Sequence, residues 1–186
     1  MTESTRRGRR GFIQAAAATG ALGALEVRPQ SGARVPLMTR SRFVELRTIR
    51  VSLEGMAAEH AAARVTVREL AAVRGFHERF FAAARGARPN LRAAIRANRD
   101  LHFAVYAAAR MPALFALIEG LWLQIGPVLN LDLRSGPQRL HALAAYEHHA
   151  GLVEALARQD GPAARRALVS DIETAADYIL SLERLT

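Results

Sequence analysis

From residue 40 onward, apolar side chains return at helical spacing in six successive stretches, about 41–63, 66–86, 91–109, 112–130, 137–158 and 162–184, with no strand-like alternation. The breaks are short and carry turn chemistry: Arg-Gly-Ala-Arg-Pro-Asn at 85–90, Pro112, Arg-Ser-Gly-Pro at 134–137, and Gln-Asp-Gly-Pro at 159–162, where Pro162 suits a first helical turn. Short connections make consecutive helices neighbours, so the pattern predicts an all-α antiparallel bundle of six or seven helices. Before residue 40 the pattern changes. Two β-capable runs, Leu25 to Val27 and Ala33 to Val35, flank a Pro-Gln-Ser-Gly turn and predict a β-hairpin, which must lean on other structure because an isolated hairpin is marginal in water. The chain therefore divides at residues 1–39 and 40–186, with no internal repeat and no low-complexity linker.

Several inward stripes carry polar groups. Stepping 100° per residue, Leu91, Ile95, Asn98, His102, Val105 and Ala109 share one line, with Asp100 opposite. His149 shares a stripe with Ala142, Ala145, Tyr146, Val153 and Leu156, while His148 sits on its flank. Asp171 lies with Ala164, Ala167, Leu168, Ala175, Tyr178 and Leu182, and Arg50 with Leu46, Ile49, Leu53 and Ala57. A buried polar group costs roughly 1–3 kcal/mol unless paired, so these residues require partners or a ligand. Facing helices of a bundle commonly build metal and ligand sites in this way. Asn98, His102, His149 and Asp171 form a candidate ligand set, and the buried guanidinium of Arg50 calls for an anion, either a bound carboxylate or a glutamate of the chain. His60 and His77 also fall on inner stripes and are assigned to packing. A histidine on an apolar face is more often a hydrogen-bonded core residue than a ligand, so periodicity alone leaves the metal reading open.

Composition narrows the chemistry. The 186 residues, 51% of them apolar, can bury one sizeable core. The absence of cysteine excludes disulfides and thiolate metal sites, leaving His, Asp, Glu and Asn as ligands. All 26 basic residues are Arg. Residues 1–40 hold seven of them against Glu3 and Glu26, a net +5 of the chain's +9, so positive charge is concentrated at the N-terminus. No uninterrupted apolar run approaches membrane-spanning length, and no membrane span is expected. The segment Gly-Arg-Arg-Gly-Phe-Ile followed by alanines also has the form of a twin-arginine export signal. No nucleophile stands beside a base on an inward stripe, which argues against an enzyme.

Three blocks, ELRTIRVSLEGMAAEHAA, NRDLHFAVYAAARMPALFALIEGLW and EHHAGLVEALARQDGPAARRALVSDI, resemble in order and spacing the ligand-binding FCD domain of the FadR subfamily of GntR-type transcription regulators, over about residues 40–182. The resemblance implies a bundle that holds a divalent metal through an aspartate and a histidine four apart on one helix, a histidine on a later helix and a histidine on the last. By position these fall on Asn98, His102, His149 and Asp171. Asn98 stands where the family has aspartate and Asp171 where it has histidine, so the single carboxylate has moved to another helix. Such an N2O2 set suits zinc, nickel or manganese. Alternatively no metal binds, and these side chains hold an organic acid directly with Arg50.

LEVRPQSGARV is similar to the wing of the winged-helix domain in these regulators, and RRGFIQAA stands where their recognition helix lies. The resemblance thus implies a partial winged helix at 1–39, lacking a counterpart of its first two helices, with Arg6, Arg7, Arg9 and Arg10 facing DNA phosphates and Arg28 and Arg34 on the wing. It further implies a cytoplasmic homodimeric regulator whose partners are a DNA operator, bound weakly by this chain, and a small organic acid effector. The competing expectation is an exported or stand-alone helical metal- or solute-binding protein without DNA binding.

Overall fold

The computed structural model describes residues 26–28, 32–34, 37–85, 89–134 and 143–185. Two three-residue strands, β1 (Glu26–Arg28) and β2 (Gly32–Arg34), pair antiparallel with Glu26 opposite Arg34 and Arg28 opposite Gly32. Among the described residues six helices follow: α1 (Arg40–Ala62), α2 (Val67–Ala84), α3 (Leu91–Ala108), α4 (Pro112–Arg134), α5 (Leu143–Ala157) and α6 (Gly161–Ser181). The first four helices start and end close to the sequence expectation, except that α4 runs on to Arg134. Residues 137–142, the expected start of the fifth helix, lie outside the described residues. So do the expected recognition-helix stretch with Arg6, Arg7, Arg9 and Arg10, and the twin-arginine segment.

Local chemistry sets the helix starts. Thr39 accepts from the Arg42 amide at 3.2 Å, Asn90 from Ala93 at 3.1 Å and Asp160 from Ala163 at 2.9 Å, each satisfying an orphan first-turn N–H. Thr66 and Glu69 make a reciprocal capping box on α2: the Glu69 amide donates to Thr66 Oγ1 and the Thr66 amide donates to Glu69 Oε2, 3.0 Å away. These bonds, led by the Thr66 amide and joined by Arg110, hold the Glu69 carboxyl down at about 2. Between α5 and α6 the chain reverses through Gln159 in the left-handed region (φ 56°). Gly161 follows, and there a Cβ would come within 3.0 Å of the Glu59 carbonyl oxygen of α1.

Packing departs from simple succession. The interior is organised by α1 on α6, α2 on α3 and α5 on α6, while α4 closes the bundle against α1 and α3. Helices α1 and α2, although joined by residues 63–66, turn their main contact faces to other partners. The reason lies in α1's small residues: Ala57, Ala58, Ala61 and Ala62 are buried, and at Gly55 a Cβ would press on Val169 of α6 at 3.0 Å, so α1 and α6 approach closely. The central core adds Leu101, Val105, Ile118, Leu152, Leu156, Leu168 and Ile172, each large side chain contributing about 1.5–3 kcal/mol when fully buried. A second cluster, Phe43, Leu46, Leu121, Ile125, Ala176 and Ile179, closes the end where α1 begins.

Two expectations need correction. His60 is exposed, because the buried face of α1 runs through Phe43, Leu46, Arg50, Glu54, Ala57 and Ala61, and His60 lies one 100° step from that line. Pro112–Leu129 is long and apolar enough, by length and composition, to cross a membrane, although no such stretch was expected. Its interruption by Glu119, Gln124 and two glycines hides it from a search for unbroken apolar runs. Leu114, Ile118, Leu121 and Ile125 sit in the bundle core, and Leu117 and Leu123 are each 56% exposed.

Candidate metal centre

Three helices bring polar side chains to one interior point. His102 comes from the middle of α3, His149 from the middle of α5 and Asp171 from the middle of α6, and one ligand atom of each lies within 4.8 Å of the others. His102 Nε2 is 3.2 Å from Asp171 Oδ2, and His149 Nε2 is 3.7 Å from Asp171 Oδ1. Both imidazoles are buried and the Asp171 side chain is 15% exposed. Burial pushes the Asp171 carboxyl up, but the neighbouring imidazoles of His149 and His102 outweigh it and hold it well below the usual range.

These contacts leave the donors unsatisfied. His102 Nε2 and both ring nitrogens of His149 are buried without a hydrogen bond of acceptable geometry. An ionised carboxylate set between two ring nitrogens needs positive charge at that point, from ring protons or from a bound cation. Two imidazole nitrogens and a carboxylate oxygen converging with spare lone pairs are a donor set for a borderline divalent ion, so the residues present fit the metal that the family resemblance implies.

Asn98 stands differently. It is half-buried and lines a cavity of about 50 Å³ together with Arg50, Phe80, His102, Trp122, Asp171 and Ile172. It also lines a larger groove of about 480 Å³ between α3 and α4, with Ile95, Arg99, Phe103, Glu119 and Leu123. Asn98, Trp122 and Leu129 border both spaces and so form the partition between them. His148 lies on the flank, as its phase predicts, with Nε2 3.1 Å from Thr174 Oγ1. His77 is buried and stacks on Tyr146 at 4.9 Å between ring centroids. Burial, and then His149, lower its pKa.

Arg50 has an internal partner. Its Nε donates to Glu54 Oε1 at 2.5 Å and its second terminal nitrogen to Oε2 at 3.3 Å, one helical turn along α1. Glu54 has no exposed surface and also accepts from Tyr106 Oη and, at 3.3 Å, from Trp122 Nε1. Arg50 stacks over Trp122 at 5.2 Å and still lines the small cavity. Burial lowers the Arg50 pKa, but Glu54 outweighs it and the net shift is upward. Burial, with Glu54 adding to it, raises the Tyr106 phenol well above its ordinary value. Glu54, Tyr106 and Trp122 were not singled out from the sequence. The i, i+4 spacings of Arg50 to Glu54 and of His102 to Tyr106 are the available signals for the first two, whereas Trp122 arrives from another helix.

Comparison with known proteins places this architecture. The FCD domain model matches residues 45–174. The Escherichia coli K12 protein named HTH-type transcriptional regulator McbR is 30% identical over 130 residues, covering 66% of this chain and 58% of the relative, so the chain spans less than two thirds of that protein's length. The solved structure of E. coli McbR/YncC superposes with a TM-score of 0.81 at 26% identity, over 91% of this chain and 83% of the other. A GntR family member from Pseudomonas syringae pv. tomato shares the fold at a TM-score of 0.63 and 18% identity, over 90% and 68% of the two chains. These relatives are named as regulators, not enzymes. With more than two thirds of its residues matched by the family model, the chain belongs to the FCD-domain family.

Proposed function

We propose that the helical unit, residues 40–186, senses a small carboxylate metabolite at a divalent metal held by His102, His149 and Asp171, and that residues 1–39 contact operator DNA. The observation carrying the metal reading is the convergence of buried, unpartnered His102 Nε2 and His149 Nε2 on the Asp171 carboxylate. Asn98, on the wall of the same cavity, is the fourth candidate ligand. A bound divalent ion would offer an open coordination position to a carboxylate oxygen. Arg50 lines the cavity but already engages Glu54, so a carboxylate held by Arg50 alone would compete with a buried ion pair. A cavity of about 50 Å³ admits only a compact head group, and a larger effector would extend past Asn98 and Trp122 into the outer groove.

The DNA reading rests on the seven arginines of residues 1–40 and on the strand pair that carries Arg28 and Arg34, which we assign as a wing; Arg6, Arg7, Arg9 and Arg10 complete the basic set. A homodimer matches the two-fold symmetry of palindromic operators. Effector binding would then act by differential affinity for two relative placements of the DNA-contacting parts. Calorimetric titration of chelator-stripped protein with zinc, nickel and manganese tests the metal reading: about one ion per chain is expected, and no binding by any of the three overturns it. DNA binding by this chain is expected to be weak and to fall steeply with salt, which fluorescence anisotropy at two salt concentrations measures. Affinity that does not change with salt would refute the assignment of these arginines as phosphate contacts.

A further inference from the structure

Behind the metal-facing nitrogen of His102 runs a buried chain of hydrogen bonds. His102 Nδ1 lies 3.0 Å from Tyr106 Oη, and Tyr106 Oη donates to Glu54 Oε2. The same oxygen of Glu54 accepts from Trp122 Nε1, and both its oxygens accept from Arg50. Tryptophan and arginine are donors only, and Arg50 is always charged, so both present their hydrogens to the Glu54 oxygens and the bond between Tyr106 and Glu54 runs from the phenol to the carboxylate. A phenol has a single proton.

We propose that Glu54 is a positioning residue for His102. By accepting the only proton of Tyr106, it makes the phenol oxygen an acceptor toward His102, so that a neutral ring carries its hydrogen at Nδ1 and leaves Nε2 as a bare lone pair facing Asp171 and His149.

Independent geometry agrees. His102 Nε2 is buried and makes no hydrogen bond, although Asp171 Oδ2 is only 3.2 Å away. A ring with its proton on Nε2 would have every reason to turn it onto that carboxylate. Histidines that hold metals commonly present their second ring nitrogen to a carboxylate or carbonyl, which fixes tautomer and orientation. Here the carboxylate acts one residue removed, through a tyrosine. The second imidazole lacks such support: His149 Nδ1 is buried without a partner, and its ring is held by Phe80 at 4.9 Å and His102 at 5.5 Å. The arrangement therefore distinguishes an oriented ligand, His102, from a packed one.

The consequence for metal affinity rests on the metal reading above, but the tautomer does not, and the test separates the two. Nitrogen-15 NMR of the metal-free chain, under conditions where the His102 ring is neutral, is expected to show hydrogen on Nδ1. Tyr106→Phe, which keeps the ring packing and leaves Glu54 with Arg50 and Trp122, is expected to move it to Nε2. Glu54→Gln should do the same, because the glutamine amide can donate to Tyr106 and turn the phenol proton toward His102. In zinc titrations each variant is expected to lose about 10- to 100-fold in affinity. The double variant should lose little more than Tyr106→Phe alone, because Glu54 acts through Tyr106, whereas a merely structural role would add independently. Hydrogen on Nε2 in the parent protein, or on Nδ1 after Tyr106→Phe, overturns the proposal. If zinc fails to bind while the tautomer moves as stated, the relay stands and the metal reading falls.

Discussion

Asp171→Asn separates a metal ligand from a structural partner of the histidines. The substitution keeps side-chain volume, so the cavity of about 50 Å³ and the packing of Ile172 and Ala175 around it are preserved. It removes the only formal charge among the convergent donors. Partners one shell beyond a metal ligand are worth 10- to 100-fold in affinity, so losing the charged donor itself should cost about 100-fold. At a zinc concentration a thousand times the parent dissociation constant, binding stabilises the parent by about 4.1 kcal/mol and the variant by about 1.4 kcal/mol. For a chain of this size 1 kcal/mol moves the melting temperature by about 2–4 °C, so the zinc shift should fall from about 8–16 °C to about 3–6 °C. Without metal, about two pH units above the ordinary histidine value of about 6.5, the variant should melt no lower than the parent. The asparagine amide can then donate to His102 Nε2, which faces the Asp171 carboxylate at 3.2 Å in the parent. Differential scanning calorimetry of chelator-stripped protein, with and without zinc, measures both. An undiminished zinc shift, together with a metal-free variant destabilised by more than about 1 kcal/mol, would refute the reasoning and make Asp171 a hydrogen-bond partner only.

Because His149 faces Asp171 and His148 instead meets Thr174, His149→Ala should lower zinc content by elemental analysis and His148→Ala should leave it unchanged; equal losses would contradict the geometry. Asn98→Asp restores a charged oxygen four residues before His102 on the cavity wall and should tighten zinc binding in calorimetric titration, whereas unchanged affinity would put Asn98 outside the ligand set. Glu69 titrates at about 2 when folded against an ordinary 4.5, so its contribution is complete above the unfolded value and is lost as pH falls from about 4.5 toward 2. Urea unfolding of Glu69→Gln across that window should be less pH-dependent than the parent, and identical slopes would show that the capping box contributes nothing.

Helix periodicity determined a great deal here. The six described helices, the breaks at 63–66, 85–90, 109–111 and 158–160, and the inward placement of His102, His149, Asp171 and Arg50 follow from which residues recur every 3.6 positions, because burying an apolar stripe is the main way a helix gains stability in water. Cap chemistry was equally local, as Thr39, Thr66 and Asp160 show. The failures are also physical. The phase of α1 is set by its partner α6, so the buried line passes through Glu54 and Ala61 and leaves His60 in water. Asn98 shares the phase of His102 yet is only half-buried, because it forms the wall between the small cavity and the outer groove. Only the tertiary structure could decide which inward groups meet. Phase gives the direction of a side chain from its own helix axis, but not the height or the neighbour at which it arrives. Thus Arg50 meets Glu54 within α1, while His102, His149 and Asp171 converge from α3, α5 and α6, and Trp122 from α4 completes the wiring behind them.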